Sequence, residues 1–87
     1  MAVQVEFFGI PRQRAGVPSA LVTGLRLGEI LWELSADFPK LAETCVDGQR
    51  LRPGFVANLN GERFVTDPDT SLEPGDCLLI LTADAGG

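Results

Sequence analysis

The stretch "DCLLILT", residues 76–82, decides the fold of this 87-residue chain. A strand with one exposed face alternates apolar and polar residues, whereas the residues from Cys77 to Leu81 are all apolar. Such continuous apolarity is typical of a central strand that is covered on both faces. The remaining sequence must therefore supply its neighbouring strands and a covering helix.

The first part of the chain predicts an amino-terminal hairpin. In "VQVEFFGI" (3–10), apolar Val3, Val5 and Phe7 alternate with Gln4, Glu6 and Phe8. This period of two residues is typical of a strand with one side that faces water or a partner. The prolines and glycine of "PRQRAGVP" (11–18) break this pattern and predict a loop. "SALVTGL" (19–25) then returns as a second strand.

The main helix is predicted over "GEILWELSADF" (28–38), where apolar residues recur at helical spacing and Glu29 lies favourably in the first turn. Pro39 ends or kinks this helix, and "KLAETCV" (40–46) adds a short further turn. Trp32 lies off the apolar stripe. We interpret it as partial packing at the edge of the helix rather than as a stack for a ligand.

A second hairpin is predicted over "FVANLNGERFV" (55–65), because Asn60-Gly61 has the chemistry of a type I′ turn. The order is then strand, strand, helix, strand, strand and a last central strand. If the first and last strands pair, they run parallel, because the chain between them crosses over through the helix. The sequence therefore predicts an α+β fold, a β-grasp (ubiquitin-like) mixed sheet packed on one main helix, in a single domain over residues 1–87.

Charge and composition exclude several functions. Seven basic and twelve acidic residues give a net charge of -5, which opposes nucleic-acid binding. We interpret the acidic balance as a solvated surface that serves solubility, with docking on a basic partner surface as the alternative. No signal peptide or membrane span is recognisable, so we expect a cytoplasmic protein. The chain has no histidine, which excludes His metal ligands and Ser-His or Cys-His couples. Cys45 and Cys77 lack metal-ligand spacing, and we expect free, buried thiols and no metal site.

The chain closes with "LTADAGG", residues 81–87. Glycine has the greatest backbone freedom and adds no side chain to a core, so folding gains nothing from Gly86 and Gly87. We expect residues 82–87 to form an extended, mobile tail whose function requires a bare end.

Five stretches in this order resemble the sulfur-carrier proteins of the ubiquitin-like superfamily, most closely the small, sulfur-carrier subunit of molybdopterin synthase. The resemblance covers the whole chain. It depends on "VEFFGIPRQRAG", "LWELSADFPKL", "NLNGERF", "TSLEPGDCLLIL" and the terminal "AGG".

The resemblance implies a role for the carboxyl terminus. In these carriers, an adenylyltransferase related to ubiquitin-activating enzymes uses ATP to adenylate the terminal glycine, which a sulfur donor then converts to a thiocarboxylate. Gly87 is then the sulfur-bearing residue, and Gly86 keeps the tail thin enough to enter a narrow channel. The large subunit of molybdopterin synthase, in a heterotetramer, would use two such tails to make the dithiolene of molybdopterin. The carrier itself binds no cofactor and contributes no catalytic side chain.

The resemblance also implies a docking surface. Strand alternation puts Leu79 and Leu81 on one side of the last strand, and Phe8 faces away from the core side of the first strand. We expect Phe8 and Leu81 to form an exposed patch that meets the partner, with Leu79 on the same side and Arg12 as a polar contact. The alternative is that the loop after Phe8 covers it.

Two features bear on the pathway. Phe38-Pro39 after the helix favours molybdopterin over thiamine, whereas "TADA" (82–85) replaces the proline-containing stretch of many family members. A sulfur carrier for thiamine, cysteine or tRNA thiolation stays open as an alternative. So does a ubiquitin-like protein modifier or interaction domain.

Overall fold

The computed structural model describes residues 2–84. Its elements in chain order are β1 (Val3–Phe7), α1 (Ile10–Ala15), β2 (Ser19–Val22), α2 (Leu27–Asp37), α3 (Pro39–Cys45), β3 (Val46–Asp47), β4 (Arg50–Leu51), β5 (Phe55–Leu59), β6 (Arg63–Val65) and β7 (Cys77–Thr82). The five longer strands form one sheet in the order β2-β1-β7-β5-β6, and β3 pairs with β4 in a separate ribbon.

Strand β7 is the central strand, as its apolar sequence predicts. It runs parallel to β1, with Val5 opposite Leu78, and antiparallel to β5, with Ala57 opposite Ile80. The parallel pairing of the first and last strands is therefore confirmed. It requires the crossover through the helices, because two parallel neighbours cannot be joined by a tight turn.

One face of the sheet packs on the helices. Leu78 and Ile80 of β7 are buried in the same apolar cluster as Ile30 and Leu34 of α2 and Leu41 of α3. The opposite face is only partly covered, because Cys77 and Leu79 are half-exposed there. The prediction that β7 is covered on both faces is therefore wrong for its outer face, since the helices pack on the other side of the sheet.

The first turn of α2 is held as its sequence indicates. Glu29 Oε1 accepts hydrogen bonds from the backbone N–H groups of Leu25 at 3.1 Å and Arg26 at 3.2 Å. A carboxylate in this position satisfies helix donors that have no partner within the helix. At the other end, α2 stops at Asp37 and Pro39 opens α3, so the predicted break and further turn are confirmed.

The segment after β1 is a helix rather than the predicted loop. Pro11 lies in the first turn of α1, where proline's fixed φ suits a helix and its missing N–H costs nothing. Gly16 follows the helix in the left-handed conformation, with φ of 79°, and its N–H bonds to the Arg12 carbonyl at 2.9 Å. The proline and glycine that were interpreted as loop residues therefore mark the two ends of this six-residue helix.

The predicted turn between β5 and β6 is confirmed. Asn60 and Gly61 both have positive φ, 57° and 71°, as a type I′ turn requires. The N–H of Glu62 closes the turn by donating to the Leu59 carbonyl at 3.0 Å. Among the helices of residues 2–84, none is long and apolar enough to cross a membrane.

Candidate docking face

The side of the sheet turned away from the helices is an outer surface, which we call the open sheet face. Pleating sends alternate side chains of each strand to this side, and the strand register identifies them. Its members are Gln4, Glu6, Phe8, Leu21, Val56, Asn58, Phe64, Cys77, Leu79 and Leu81.

Large apolar side chains are exposed on this face. The exposed fraction is 72% for Leu21, 56% for Phe64 and 53% for Phe8. Leu79, on the central strand between them, is half-exposed. Grouped exposed apolar side chains of this kind mark interaction surfaces more often than isolated ones do. The predicted exposure of Phe8 is confirmed, and the loop-covered alternative is excluded.

The prediction that Leu81 forms part of the exposed patch is wrong, because only 6% of this residue is accessible. On one side it lies opposite Val56 of β5. On the other side its neighbour is Phe8, because Phe7 pairs with Ile80 and both chains continue by one residue in the same direction. A residue in the middle strand is covered by neighbours on both sides. Leu81 therefore supports the open sheet face from within, while Phe8 and Leu79 present its surface.

Asn58 lies on this face opposite Leu79 and Phe64. Its side-chain Oδ1 is buried and has no hydrogen-bond partner among residues 2–84. An unsatisfied buried oxygen costs about 1–3 kcal/mol. Sequence reasoning missed this residue, since no local pattern distinguishes a buried amide from an exposed one.

Phe64 and Leu21 are further members that sequence reasoning missed. Phe64 stands between exposed Arg63 and buried Val65 in β6, so strand alternation alone was sufficient to assign it to the outer side. Leu21 precedes buried Val22 in β2 and follows the same rule. These two residues extend the apolar surface to both edge strands of the sheet.

The carboxyl-terminal end of β7 leaves the sheet beside α1. Strand β1 ends level with Ile80, and α1 follows it directly and packs against β7. Arg12 and Arg14 lie on this helix and are exposed. The structure therefore brings Arg12 and Phe8 to the same end of the sheet, where the chain continues towards residues 83–87.

The structure places the first three residues of the predicted tail, 82–84, in a strand and a turn. Thr82, predicted as the first tail residue, is the last residue of β7 and pairs with Phe55. The N–H of Ala83 then donates to the Gly54 carbonyl at 2.9 Å, and Asp84 completes a turn. These backbone bonds extend the fold beyond the apolar run. Gly86 and Gly87 lie outside the described residues.

A family model matches residues 5–87 of this sequence, a span that includes Gly86 and Gly87. The chain belongs to the ThiS family of ubiquitin-like sulfur carriers. A search of curated proteins finds no match.

Solved structures similar to this ThiS-family chain include several small carriers and modifiers. The Pyrococcus furiosus protein assigned as molybdopterin converting factor subunit 1 is 25% identical, with a TM-score of 0.76 over 94% of this chain and 97% of that chain. A chain of the BexX/CysO complex from Amycolatopsis orientalis is 26% identical, with a TM-score of 0.79 over 99% and 100%. SAMP1 from Haloferax volcanii, at 21% identity and a TM-score of 0.80 over both full chains, shows the fold alone. The β-grasp fold is confirmed.

Both cysteines of this ThiS-family member are free thiols, as predicted. Cys45 is buried as expected, but Cys77 is only half-buried because it lies on the open sheet face. Burial raises the pKa of Cys45 to about 11, despite the lowering influence of Arg14 and Arg52. Burial also raises the pKa of Cys77 to about 11, and its Sγ donates a hydrogen bond to Glu6 Oε1 at 3.0 Å. A thiol with so high a pKa holds almost no thiolate at neutral pH and is a poor nucleophile.

The start of β7 is fixed by a polar network that sequence reasoning missed. Asn60 Nδ2 donates to Asp76 Oδ1 at 3.0 Å, and Asn60 Oδ1 accepts the backbone N–H of Cys77 at 2.8 Å. Asp76 Oδ2 also accepts the N–H of Glu73 at 2.8 Å. The hydrogen bond from Asn60, followed by that from Glu73, lowers the pKa of Asp76. In this sulfur carrier the hairpin turn therefore anchors the central strand.

Proposed function

We propose that this chain is the small, sulfur-carrying subunit of a molybdopterin synthase and that Gly87 bears the sulfur. The chain belongs to a sulfur-carrier family, and the proposal depends on where its central strand ends. Strand β7 ends beside exposed Phe8 and beside Arg12 on α1, and from this point the chain continues towards Gly87. A folded docking face thus adjoins the residues that lead to the reactive end.

The chemistry required of Gly87 is acyl activation. A carboxylate is a poor electrophile, so an activating enzyme joins its oxygen to the α-phosphorus of ATP and releases pyrophosphate. Hydrosulfide (HS⁻) from a donor then attacks the carbonyl carbon, AMP leaves with the C–O bond electrons, and the S–H proton is lost to solvent. The product is a terminal thiocarboxylate. ATP binds to the activating enzyme and not to this chain.

The catalytic groups belong to the partners. The chain has no histidine, and the pKa values of Cys45 and Cys77 are too high for either thiol to act as a nucleophile at neutral pH. The carrier contributes position, because docking converts the meeting of two reactants into an intramolecular step. Gly86 contributes a narrow, Cβ-free backbone next to the acyl group.

Docking is assigned to Phe8 and Leu79, with Arg12 as the charged contact. Phe8 and Leu79 keep apolar area that a partner can cover, and Arg12 is exposed at the same end of the sheet. Leu81 has the different role of holding β7 against β5 beneath this surface.

The choice of molybdopterin is supported by the junction between α2 and α3. The ring of Phe38 packs edge-on against Phe7, with ring centroids 5.8 Å apart, and Pro39 opens α3. The Phe-Pro pair thus joins the helical layer to β1, which ends at Phe7 beside the docking face. The likeness to the Pyrococcus furiosus protein agrees with this choice.

A carrier that supplies sulfur for cysteine is the second candidate. The observation favouring it is the likeness to a chain of the BexX/CysO complex from Amycolatopsis orientalis. Both candidates need the same thiocarboxylate and differ in the enzyme that consumes it.

The first experiment tests sulfur loading. The chain is co-expressed with an activating enzyme and a sulfur donor and then examined by intact-mass spectrometry. We expect replacement of one oxygen by sulfur, located at Gly87 by fragmentation. A variant lacking Gly86 and Gly87 is the control and should gain no sulfur. A different result would identify an interaction module: the full chain gains no sulfur, and deletion of Gly86 and Gly87 does not weaken its binding to partners.

The second experiment separates the pathways. Thiocarboxylated chain is mixed with a molybdopterin synthase large subunit and cyclic pyranopterin monophosphate, and in parallel with a cysteine-forming enzyme that accepts carrier sulfur. We expect sulfur to appear in the pterin while Gly87 returns to a carboxylate. Transfer to the cysteine precursor with none to the pterin would establish the second candidate instead.

A further inference from the structure

The helical side of the molecule carries a groove that the proposed carrier function does not use. We call it the Trp32 groove. It has a volume of about 520 Å³ and lies where α2, α3 and β3 meet, with Trp32, Pro39, Ala42 and Val46 among its lining residues. Its size is within the range of pockets that hold a drug-sized ligand or a few side chains.

Trp32 is the outstanding residue of this groove. It is the chain's one tryptophan, and 62% of it is exposed. Tryptophan is enriched among the residues that dominate binding energy at protein interfaces, because a large ring is buried at low entropic cost. Trp32 lies on α2, in the layer opposite the open sheet face, so it does not belong to the docking face described above.

The walls of the groove are held by contacts within the fold. The Ser35 hydroxyl donates to the Leu31 carbonyl at 2.9 Å. The backbone N–H of Arg52 donates to the Cys45 carbonyl at 2.8 Å, and its side-chain Nε donates to the Ala42 carbonyl at 3.4 Å. These bonds tie the segment after β4 to α3. The groove is therefore preformed, which reduces the entropy lost on binding.

The charges at the rim indicate the chemistry of the occupant. Glu43 and Asp47 are exposed carboxylates at the rim, and Arg50 is the register partner of Asp47 across β3 and β4. Arg52 also lines the groove, with its Nε directed to the Ala42 carbonyl, so the charged lining residues carry two negative charges and one positive charge. Carboxylates at the rim, an exposed indole face and a net charge of -5 together attract a cation and disfavour phosphate-rich ligands.

We propose that the Trp32 groove binds a segment of a partner protein in which a lysine or arginine adjoins a large apolar side chain. The apolar side chain contacts Pro39 and Ala42, while the cation lies against the indole of Trp32 and near Glu43 and Asp47. A segment bound here occupies the helical layer, so it leaves the open sheet face free for a second protein. This proposal is independent of the sulfur chemistry at Gly87.

The experiment begins with a displayed library of nine-residue peptides. The library is selected on the wild-type chain and counter-selected on Trp32→Ala, whose folding is checked by circular dichroism and urea unfolding. We expect the enriched peptides to pair a basic residue with Leu, Ile, Phe or Trp. The absence of enrichment over the counter-selection, or enrichment of acidic or uncharged peptides, would overturn the proposal.

Binding of the best peptide is then measured directly. Because Trp32 is the one tryptophan and the chain has no tyrosine, its fluorescence reports on the groove without interference. We expect peptide binding to shift its emission and protect it from acrylamide. If instead wild type dimerises through Trp32 without peptide, as seen by sedimentation and abolished in Trp32→Ala, the occupant is a second copy and the proposal is wrong.

A matched pair of charge reversals tests the electrostatic part. Glu43→Lys/Asp47→Lys removes both rim carboxylates, and Glu62→Lys/Asp69→Lys makes the same change in net charge away from the groove. By fluorescence anisotropy of labelled peptide, we expect the rim variant to bind roughly two- to thirty-fold more weakly than wild type, the range of a cation contact. The control variant should bind like wild type. Equal weakening in both would mean attraction to overall charge and would overturn the site.

Discussion

Phe8→Ala tests whether the open sheet face docks the carrier on its partner. Phe8 lies at the end of β1, level with the exit of β7 towards Gly87. Phe64 offers a matched control, because it is the same residue type on the same face and has nearly the same exposed fraction, 56% against 53%. It lies on the edge strand β6, which is separated from β1 by the two strands β7 and β5. The two substitutions remove equal surface at different places.

The expected magnitude follows from the exposed area of Phe8. A buried aromatic side chain removes about 150–250 Å² from water, so covering its exposed half removes roughly 100 Å². At about 25 cal/mol per Å², this coverage stabilises the complex by roughly 2.5 kcal/mol. Alanine keeps part of the contact, so we expect a loss of about 1.5–2.5 kcal/mol, or ten- to seventy-fold in Kd. The half of Phe8 that is already buried contributes about 2 kcal/mol to folding, and the variant should remain folded.

The assay is isothermal titration calorimetry of each variant with the large subunit of molybdopterin synthase, after circular dichroism and urea unfolding confirm the fold. We expect Phe64→Ala to change Kd by about threefold or less, because residues outside the centre of an interface are nearly neutral. An unchanged Kd for Phe8→Ala would refute the docking face. Equal weakening by both substitutions would refute its location beside the exit of β7.

Three further predictions concern the body of the carrier. Gly28→Ala should lower the free energy of unfolding by about 1 kcal/mol in urea titrations. Alanine normally favours a helix, but here its Cβ would lie 3.0 Å from Pro68 Cβ. A variant more stable than wild type would show that the neighbouring side chains move to make room. Hydrogen bonding lowers the pKa of Asp76 in the folded state, so its stabilisation is complete above the unfolded value of 3.8 and is lost as the pH falls through the lower folded value. The stability of wild type over Asp76→Asn should therefore shrink as the pH drops below 3.8, and a pH-independent difference would contradict the network with Asn60. Cys77, with its pKa raised to about 11, should react with iodoacetamide at pH 7 much more slowly in folded than in urea-unfolded protein, and equal rates by mass spectrometry would contradict the raised pKa.

Much of the sheet was predictable, and the reason is local geometry. Alternation in β1 and the Asn60-Gly61 turn each follow from backbone conformations that a few neighbouring residues set. The helix α1 was missed because six residues are too few to establish a helical period, and Pro11 and Gly16 serve equally as loop residues or as helix boundaries. The same ambiguity does not arise for α2, whose eleven residues span three turns.

The candidate site divides in a similar way. The exposure of Phe8 on the outer side was predicted correctly, because the side on which a strand residue lies follows from the period of two. Leu81 was assigned to the correct side but to the wrong environment, since its burial depends on Val56 from another strand. The network of Asp76 with Asn60 joins residues 16 positions apart, and no local pattern encodes that contact.

The sequence by itself determined the type of fold, the absence of histidine chemistry and the membership of a sulfur-carrier family, because period, composition and motif order are properties of the chain alone. The tertiary structure decided which apolar side chains stay exposed, where β7 leaves the sheet and where Trp32 meets a groove. Exposure is set by the elements that pack on a residue, and those elements come from distant parts of the chain.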